Sequence, residues 1–271
     1  MLKDNLVGKY IPQDSVIHHL DPRAKFLAFF LLMLIVFIAN SVVTYGVLIA
    51  VALILTLFAK FNISYVLNGL KPILLIVLFA FFVHLFTTKG GELLWSWQFL
   101  SIYSNGLVQG IFISLRFILL MYFATILTLS TSPIELTQGI ESLCAPLKVI
   151  GIPVESIALM MSIAIRFIPT LIDELDLIRR AQAARGADVA MGSLSARFKA
   201  VQALVIPIFI QSFKRAEDLA NAMEARGYDT NVQRTYYKVL TWKFKDTLII
   251  ISVMCIGVLL IPVSYTHLTL P

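Results

Sequence analysis

Two cysteines, Cys144 and Cys255, are all that the 271 residues contain. Neither stands at metal-ligand spacing from another Cys or His, so no zinc cluster or disulfide framework can be read from them. Charge is scarce too, at 14% of residues, against about 25% in soluble domains. No Gly-x-x-x-x-Gly-Lys-Ser/Thr loop occurs, so any energy from ATP has to arrive through another chain. The apolar runs lack the Asp/Glu/His relay of a proton-driven carrier. The first twenty residues are polar and place His18 and His19 where a signal peptide needs an apolar core, so no cleavable leader is expected. Two adjacent histidines are also a poor metal site without a Cys or carboxylate at fitting spacing.

What is abundant is apolar. Hydrophobic residues make up 59% of the chain and the mean hydropathy is +0.86, which points to an all-α polytopic membrane protein. About five spans are expected: Phe26 to Ala39, Val42 to Ala59, Lys71-Pro72 to Phe86, Gly106 to Leu129, and Thr247 to Pro262. Between the third and fourth, Thr87 to Asn105 holds Lys89 as its single basic residue, with Trp95 and Trp97 suited to an outer interface. The net charge of +6 is spread through loops between spans without interleaved aromatics, so it reads as topology rather than nucleic-acid binding.

Most of the 22 Lys and Arg fall between Ser130 and Asp246. By the positive-inside rule that region and the N-terminus are cytoplasmic, and an odd number of spans leaves the C-terminus outside. Within the region, Ser132-Pro133-Ile134-Glu135 is a capping box opening an amphipathic helix, ended at Gly151-Ile152-Pro153. Two long helices follow, from about Glu155 to Arg185 and from about Ser193 to Arg226, with Pro169 and Pro207 inside them as candidate kinks. Their apolar front halves are short for spans and the first carries Arg166, so they are expected in or near the inner interface with apolar faces needing cover.

Each long helix ends in the same words. Ala181-Gln182-Ala183-Ala184-Arg185-Gly186-Ala187-Asp188 and Ala222-Met223-Glu224-Ala225-Arg226-Gly227-Tyr228-Asp229 share the pattern Ala-x-x-Ala-Arg-Gly-x-Asp. Gly ends a helix by adopting the left-handed conformation, and an Arg at the C-terminus complements the helix dipole by roughly 0.3–1 kcal/mol. Capping therefore accounts for one copy. Two matching tips, slim on one side through their alanines, also suit a pair of struts docking into two similar sockets.

Two other features carry alternatives. Arg116 lies well inside the fourth span, where an unpaired charge costs about 2.5–3.5 kcal/mol or more, so it either faces a partner or is satisfied by carbonyls within the bundle. Asp173-Glu174-Leu175-Asp176 places carboxylates on one helix face, as in membrane enzymes that hold magnesium and a diphosphate. A second spaced acidic cluster is missing, and Arg179 and Arg180 can pair with the first, so a solvated face is the simpler reading.

With these residues in view, the chain resembles the transmembrane T component of energy-coupling factor transporters, ABC systems for vitamin and transition-metal uptake. The likeness runs from Asp21 to Pro262. It rests on Asp21-Pro22-Arg23-Ala24-Lys25, Arg116, Thr131-Ser132-Pro133, Arg166-Phe167-Ile168-Pro169 and the two Ala-Arg-Gly signatures. The resemblance implies a coupling subunit in a prokaryotic plasma membrane. Residues 1–131 would hold the first four spans, 132–245 a cytoplasmic coupling domain of three helices, and 246–262 the last span. Residues 263–271, without the preceding periodicity, look like translated vector sequence. It implies that Ala184-Arg185-Gly186 and Ala225-Arg226-Gly227 each enter a groove on one of two ATPase subunits, which supply ATP and Mg, and that the long helices cradle a substrate-binding S component. Asp188 and Asp229 would pair with the ATPases or cap the turns. Asp21, Pro22, Arg23, Lys25, Arg116, Arg166, Pro169 and Pro207 would be structural or partner-facing. No cofactor is expected in this chain. A membrane enzyme built on Asp173, Glu174 and Asp176, and a self-sufficient carrier, are the competing readings.

Overall fold

The computed structural model describes residues 10–11, 13–97, 100–186, 193–229 and 240–266. The chain is an all-α polytopic membrane protein. Its described residues fall into two compact units, one from Gly8 to Leu143 joined by Leu240 onward, the other between Cys144 and Val239.

The first unit contains α1 (Pro22–Ile38), α2 (Val42–Ala59), α3 (Ile63–Thr87), α4 (Ser104–Ser130), α5 (Pro133–Cys144) and α8 (Phe244–Thr266). Their boundaries are written locally. Asp21 accepts from the Arg23 N–H with Pro22 at the first helical position, and Ser41 and Thr44 form a reciprocal capping box at α2. Asn62 caps α3, and Ser132 Oγ accepts from the Glu135 N–H at α5, 3.2 Å away. The sequence expectation started the third span at Lys71-Pro72; the helix begins earlier, at Ile63, and runs through Pro72. Between α3 and α4 the expected plain loop contains an antiparallel hairpin, β1 (Leu93–Trp97) and β2 (Leu100–Tyr103). Trp95 and Trp97 lie on β1. At the other terminus α8 continues past Pro262 to Thr266; residues 267–271 of the expected foreign tail lie outside the described residues.

The core of this unit is shared by Phe29, Leu32 and Val36 of α1, Leu48 and Ala52 of α2, Leu119, Phe123 and Ile126 of α4, and Val253 and Leu260 of α8. Helices α3 and α4 pack closely where Gly106 and Gly110, one turn apart, face α3. A Cβ at Gly106 would lie 3.0 Å from the Leu85 and Thr88 carbonyls, and one at Gly110 would lie 3.1 Å from the Phe81 ring. Outward faces stay apolar, with Leu57, Leu75, Phe79 and Leu259 all exposed, as expected of surfaces that meet lipid rather than water. Hydroxyls inside these helices bond backward to their own carbonyls, Ser114 to Gly110 and Thr125 to Met121, so these two groups need no partner outside the helix.

Among the described residues, four helical stretches are long and apolar enough to cross a membrane: 42–59, 64–87, 104–130 and 154–184. The fourth is the front long helix that the sequence reading laid at the interface. By length and composition it also qualifies. Helix α1 has 17 residues, about 25 Å at 1.5 Å per residue, which is a little short of the ~30 Å hydrocarbon layer.

The second unit holds a 3-10 turn (Ala145–Ile150), α6 (Val154–Ala184) and α7 (Leu194–Ala225). Both long helices continue through their prolines, Pro169 and Pro207. Apolar side chains remain exposed along both, including Ile157, Met160 and Ile168 of α6 and Val205, Phe209 and Phe213 of α7.

Candidate functional site

The two repeated tips fold alike. Helix α6 ends at Ala184, Arg185 is the half-helical cap (φ −90°, ψ 6°), and Gly186 turns left-handed at φ +84°. Helix α7 ends at Ala225, and Gly227 turns at φ +74°. The Gly186 N–H bonds the Ala183 carbonyl at 3.0 Å and the Gly227 N–H bonds the Glu224 carbonyl at 2.9 Å. At the second tip the Tyr228 N–H also bonds the Met223 carbonyl at 3.0 Å, completing a Schellman motif. A Cβ at either glycine would meet nothing within 4 Å, so positive φ alone demands glycine. Ala184, Arg185, Ala225 and Arg226 are exposed, and among the described residues neither guanidinium has a hydrogen bond or ion pair. Asp229 is exposed beside the second tip; Asp188 lies outside the described residues.

Farther back, α6 and α7 are clamped together. Arg215 Nη2 of α7 donates to Glu174 Oε2 of α6 at 3.2 Å, and the same guanidinium sits 5.9 Å from the centre of the Phe167 ring. Glu174 is 13% exposed and Arg215 28%, so the pair is shielded from water more than a surface salt bridge. The acidic cluster is thereby divided. Glu174 faces α7, Asp176 pairs with Arg179 at 3.5 Å, and Asp173 is exposed on α6. No grouping of three acidic, His or Cys residues suited to a metal occurs among the described residues. Sequence spacing pointed to Arg179 and Arg180 as partners of the cluster. It missed Arg215, although Glu174 and Arg215 lie 41 residues apart, the offset that separates the tips.

The Asp21-to-Lys25 segment is a clasp within the first unit. The Arg23 guanidinium ion-pairs with Asp21 at 3.0 Å, donates to Ser142 Oγ at 3.1 Å and the Leu240 carbonyl at 3.2 Å, and lies 5.7 Å from the Trp242 ring centre. The Asp21 N–H donates to Asp246 Oδ1 at 3.0 Å, while Asp246 Oδ2 accepts from the Lys243 N–H at 2.7 Å. Lys25 is 2% exposed and sends Nζ to the His18 and Ser130 carbonyls at 3.0 and 3.1 Å. Pro22 is buried at the first helical position. The segment therefore joins the starts of α1 and α8 to α5 and the end of α4. Burial pushes the Asp21 carboxyl upward, but the side-chain and backbone hydrogen bonds and the charge of Arg23 outweigh it and hold the group below its ordinary value.

Arg116 reaches the end of α1 through one nitrogen, while its buried Nε has no partner among the described residues. Its Nη2 donates to the Ala39 carbonyl at 2.8 Å and to Asn40 Oδ1 at 3.0 Å. Because α1 is short, its C-terminal carbonyl ends where Arg116 of α4 can reach it, and the cation also complements that helix terminus. Arg166 is exposed on α6.

This construction can be set beside known proteins. The "Cobalt transport protein" family (CbiQ) matches residues 13–237. "Energy-coupling factor transporter transmembrane protein EcfT" of Bacillus subtilis (strain 168) is 47% identical over 260 residues, 96% of this chain and 98% of that protein. The proteins of the same name from Staphylococcus aureus (strain 04-02981) and Macrococcus caseolyticus (strain JCSC5402) are 44% and 45% identical over 261 residues, again 96% of this chain, and 97% and 98% of those proteins. With this identity over nearly its whole length, the chain belongs to the EcfT family of energy-coupling factor transporter transmembrane proteins.

Proposed function

We propose that this chain is the energy-coupling transmembrane subunit of an importer for vitamins or other micronutrients, and that its two Arg-Gly tips dock into one groove on each of two ATPase subunits. The observation that carries the reading is the duplicated tip: the same residues, the same glycine turn and the same exposed arginine end both long helices. An isolated helix cap needs only the glycine. The repetition of Ala, Arg and Gly together fits two sockets of one design, as in a pair of ATPases.

In this account the chain itself is not an enzyme. ATP and Mg belong to the partner subunits, whose closure draws the tips together. The Glu174–Arg215 clamp makes the two helices move as a crossed pair, and their exposed apolar front halves pass the motion to a membrane-embedded S component that binds the substrate. The region carrying the tips, with the N-terminus, faces the cytoplasm and the C-terminus faces outward, following the distribution of Lys and Arg.

The test is co-purification from membranes, with bound subunits identified by mass spectrometry, for the wild type, Arg185→Glu, Arg226→Glu and the double variant. The reading expects an ATPase pair on the wild type, weakened in each single variant and lost in the double one together with ATP-driven uptake. Retention of the ATPases by the double variant would reduce both tips to helix caps.

A further inference from the structure

We infer that the first unit carries a site for the headgroup of an anionic phospholipid at the end of the bundle where α1 and α8 begin and α2 stops. A cavity of about 580 Å³ opens there, within the range of small-ligand sites. Lys60, Lys243 and Lys245 line it together with His19, Ser15 and the apolar Val16, Leu20 and Phe244. The three lysines come from two helix ends far apart in sequence, and the fold brings them to one mouth.

The charge balance favours an anion. Asp14 and Asp246 also line the cavity, so three ammonium groups stand against two carboxylates and the lining keeps a net positive charge. Asp14 is held by the His19 ring, which lowers its pKa first through that hydrogen bond and then through the imidazole charge. Asp246 accepts the Asp21 and Lys243 backbone N–H groups. No salt bridge joins any of the three lysines to a carboxylate among the described residues; Lys60 Nζ instead bonds the Asp14 backbone carbonyl at 3.3 Å. Lys60 is also the single non-glycine residue with positive φ among the described residues, at +57°. It ends α2 in a conformation where glycine would be less strained.

The apolar part of the lining separates a lipid from a free anion. Val16 and Phe244 are 53% and 82% exposed, and they flank the lysines, Val16 in the turn that precedes α1 and Phe244 at the first residue of α8. A soluble phosphate would leave these side chains uncovered. A glycerophospholipid would set its phosphate among the ammonium groups and its glycerol and first acyl carbons against Val16 and Phe244.

The test uses the full chain, purified in detergent with its co-purifying subunits, delipidated and then titrated with phosphatidylglycerol, phosphatidylcholine or inorganic phosphate under native mass spectrometry. Wild type is expected to retain phosphatidylglycerol in preference to phosphatidylcholine, with inorganic phosphate a weak competitor. Lys60→Gln, Lys243→Gln and Lys245→Gln should each reduce retention about fivefold, from the usual contribution of one basic residue near an anionic surface. The triple Lys→Arg variant should keep it, and replacing Arg197, Lys199 and Lys214 by Gln should change nothing. Equal retention of the two lipids, displacement of phosphatidylglycerol by stoichiometric inorganic phosphate, or unchanged retention in the triple Gln variant would each overturn the site.

Discussion

Glu174 and Arg215 occupy matching points on two helices written to one plan, and a 3.2 Å ion pair joins them. They are 41 residues apart, as are Arg185 and Arg226, so each clamp residue stands eleven positions before its own tip, about 16 Å along a helix. Opposite charges have been placed at equivalent sites of a near-repeat. The two arms from clamp to tip are therefore of equal length, which suits a symmetric pair of sockets.

Breaking the clamp should loosen the crossing without touching either tip. Glu174→Gln or Arg215→Gln leaves a shielded charge unpaired, at a cost of about 1–3 kcal/mol, read as a fall in thermal stability. The exchange Glu174→Arg with Arg215→Glu should recover much of that loss, and a double-mutant cycle on ATP-driven uptake should show coupling between the positions. Additive effects would mean that the clamp is incidental.

The glycine turns make a sharper conformational prediction. Since added Cβ atoms at Gly186 and Gly227 meet nothing, Gly227→Ala should cost only the left-handed strain, about 1–2 kcal/mol, and Gly227→Asn should cost less. Gly106→Ala should destabilise through contact instead, because its Cβ would press on the backbone carbonyls of Leu85 and Thr88 at 3.0 Å, while Gly46→Ala, with open space around it, should be nearly silent. Thermal melting of the purified variants in detergent distinguishes the two causes.

Asp21 links the clasp to pH. Its folded pKa lies below its ordinary value of 3.8. The stabilisation it gives is therefore complete above that value and disappears as pH falls through the lower folded pKa. Stability measured from pH 7 down to about pH 5 should be insensitive to this group, with its loss developing progressively in more acid conditions. Asp21→Asn should lower stability at neutral pH and remove that part of the acid dependence.

Much of this architecture is legible in the amino-acid sequence, because helix boundaries are set by near neighbours. Ser41, Asn62, Ser132, Gly186 and Gly227 mark their ends by local hydrogen bonding or positive φ. The long-range pairings were not legible. Nothing near Arg23 in the sequence points to Leu240 or Ser142, and nothing near Arg116 points to Ala39, since those partners are chosen by how helices of unequal length stack. Glu174 shows the same limit, as its neighbours offered Arg179 and Arg180 while the fold supplied Arg215. The hairpin was hidden too, its strands being too short to stand out from a loop.

The most direct test of the central claim is site-specific photocrosslinking in native membranes from Ala184 and Ala225, one probe in each tip, with Phe198 of α7 as the control position. The account predicts that both tip probes capture an ATPase subunit, that the Phe198 probe does not, and that Arg185→Glu with Arg226→Glu abolishes both adducts. Tip probes that capture no ATPase, while the Phe198 probe does, would contradict it.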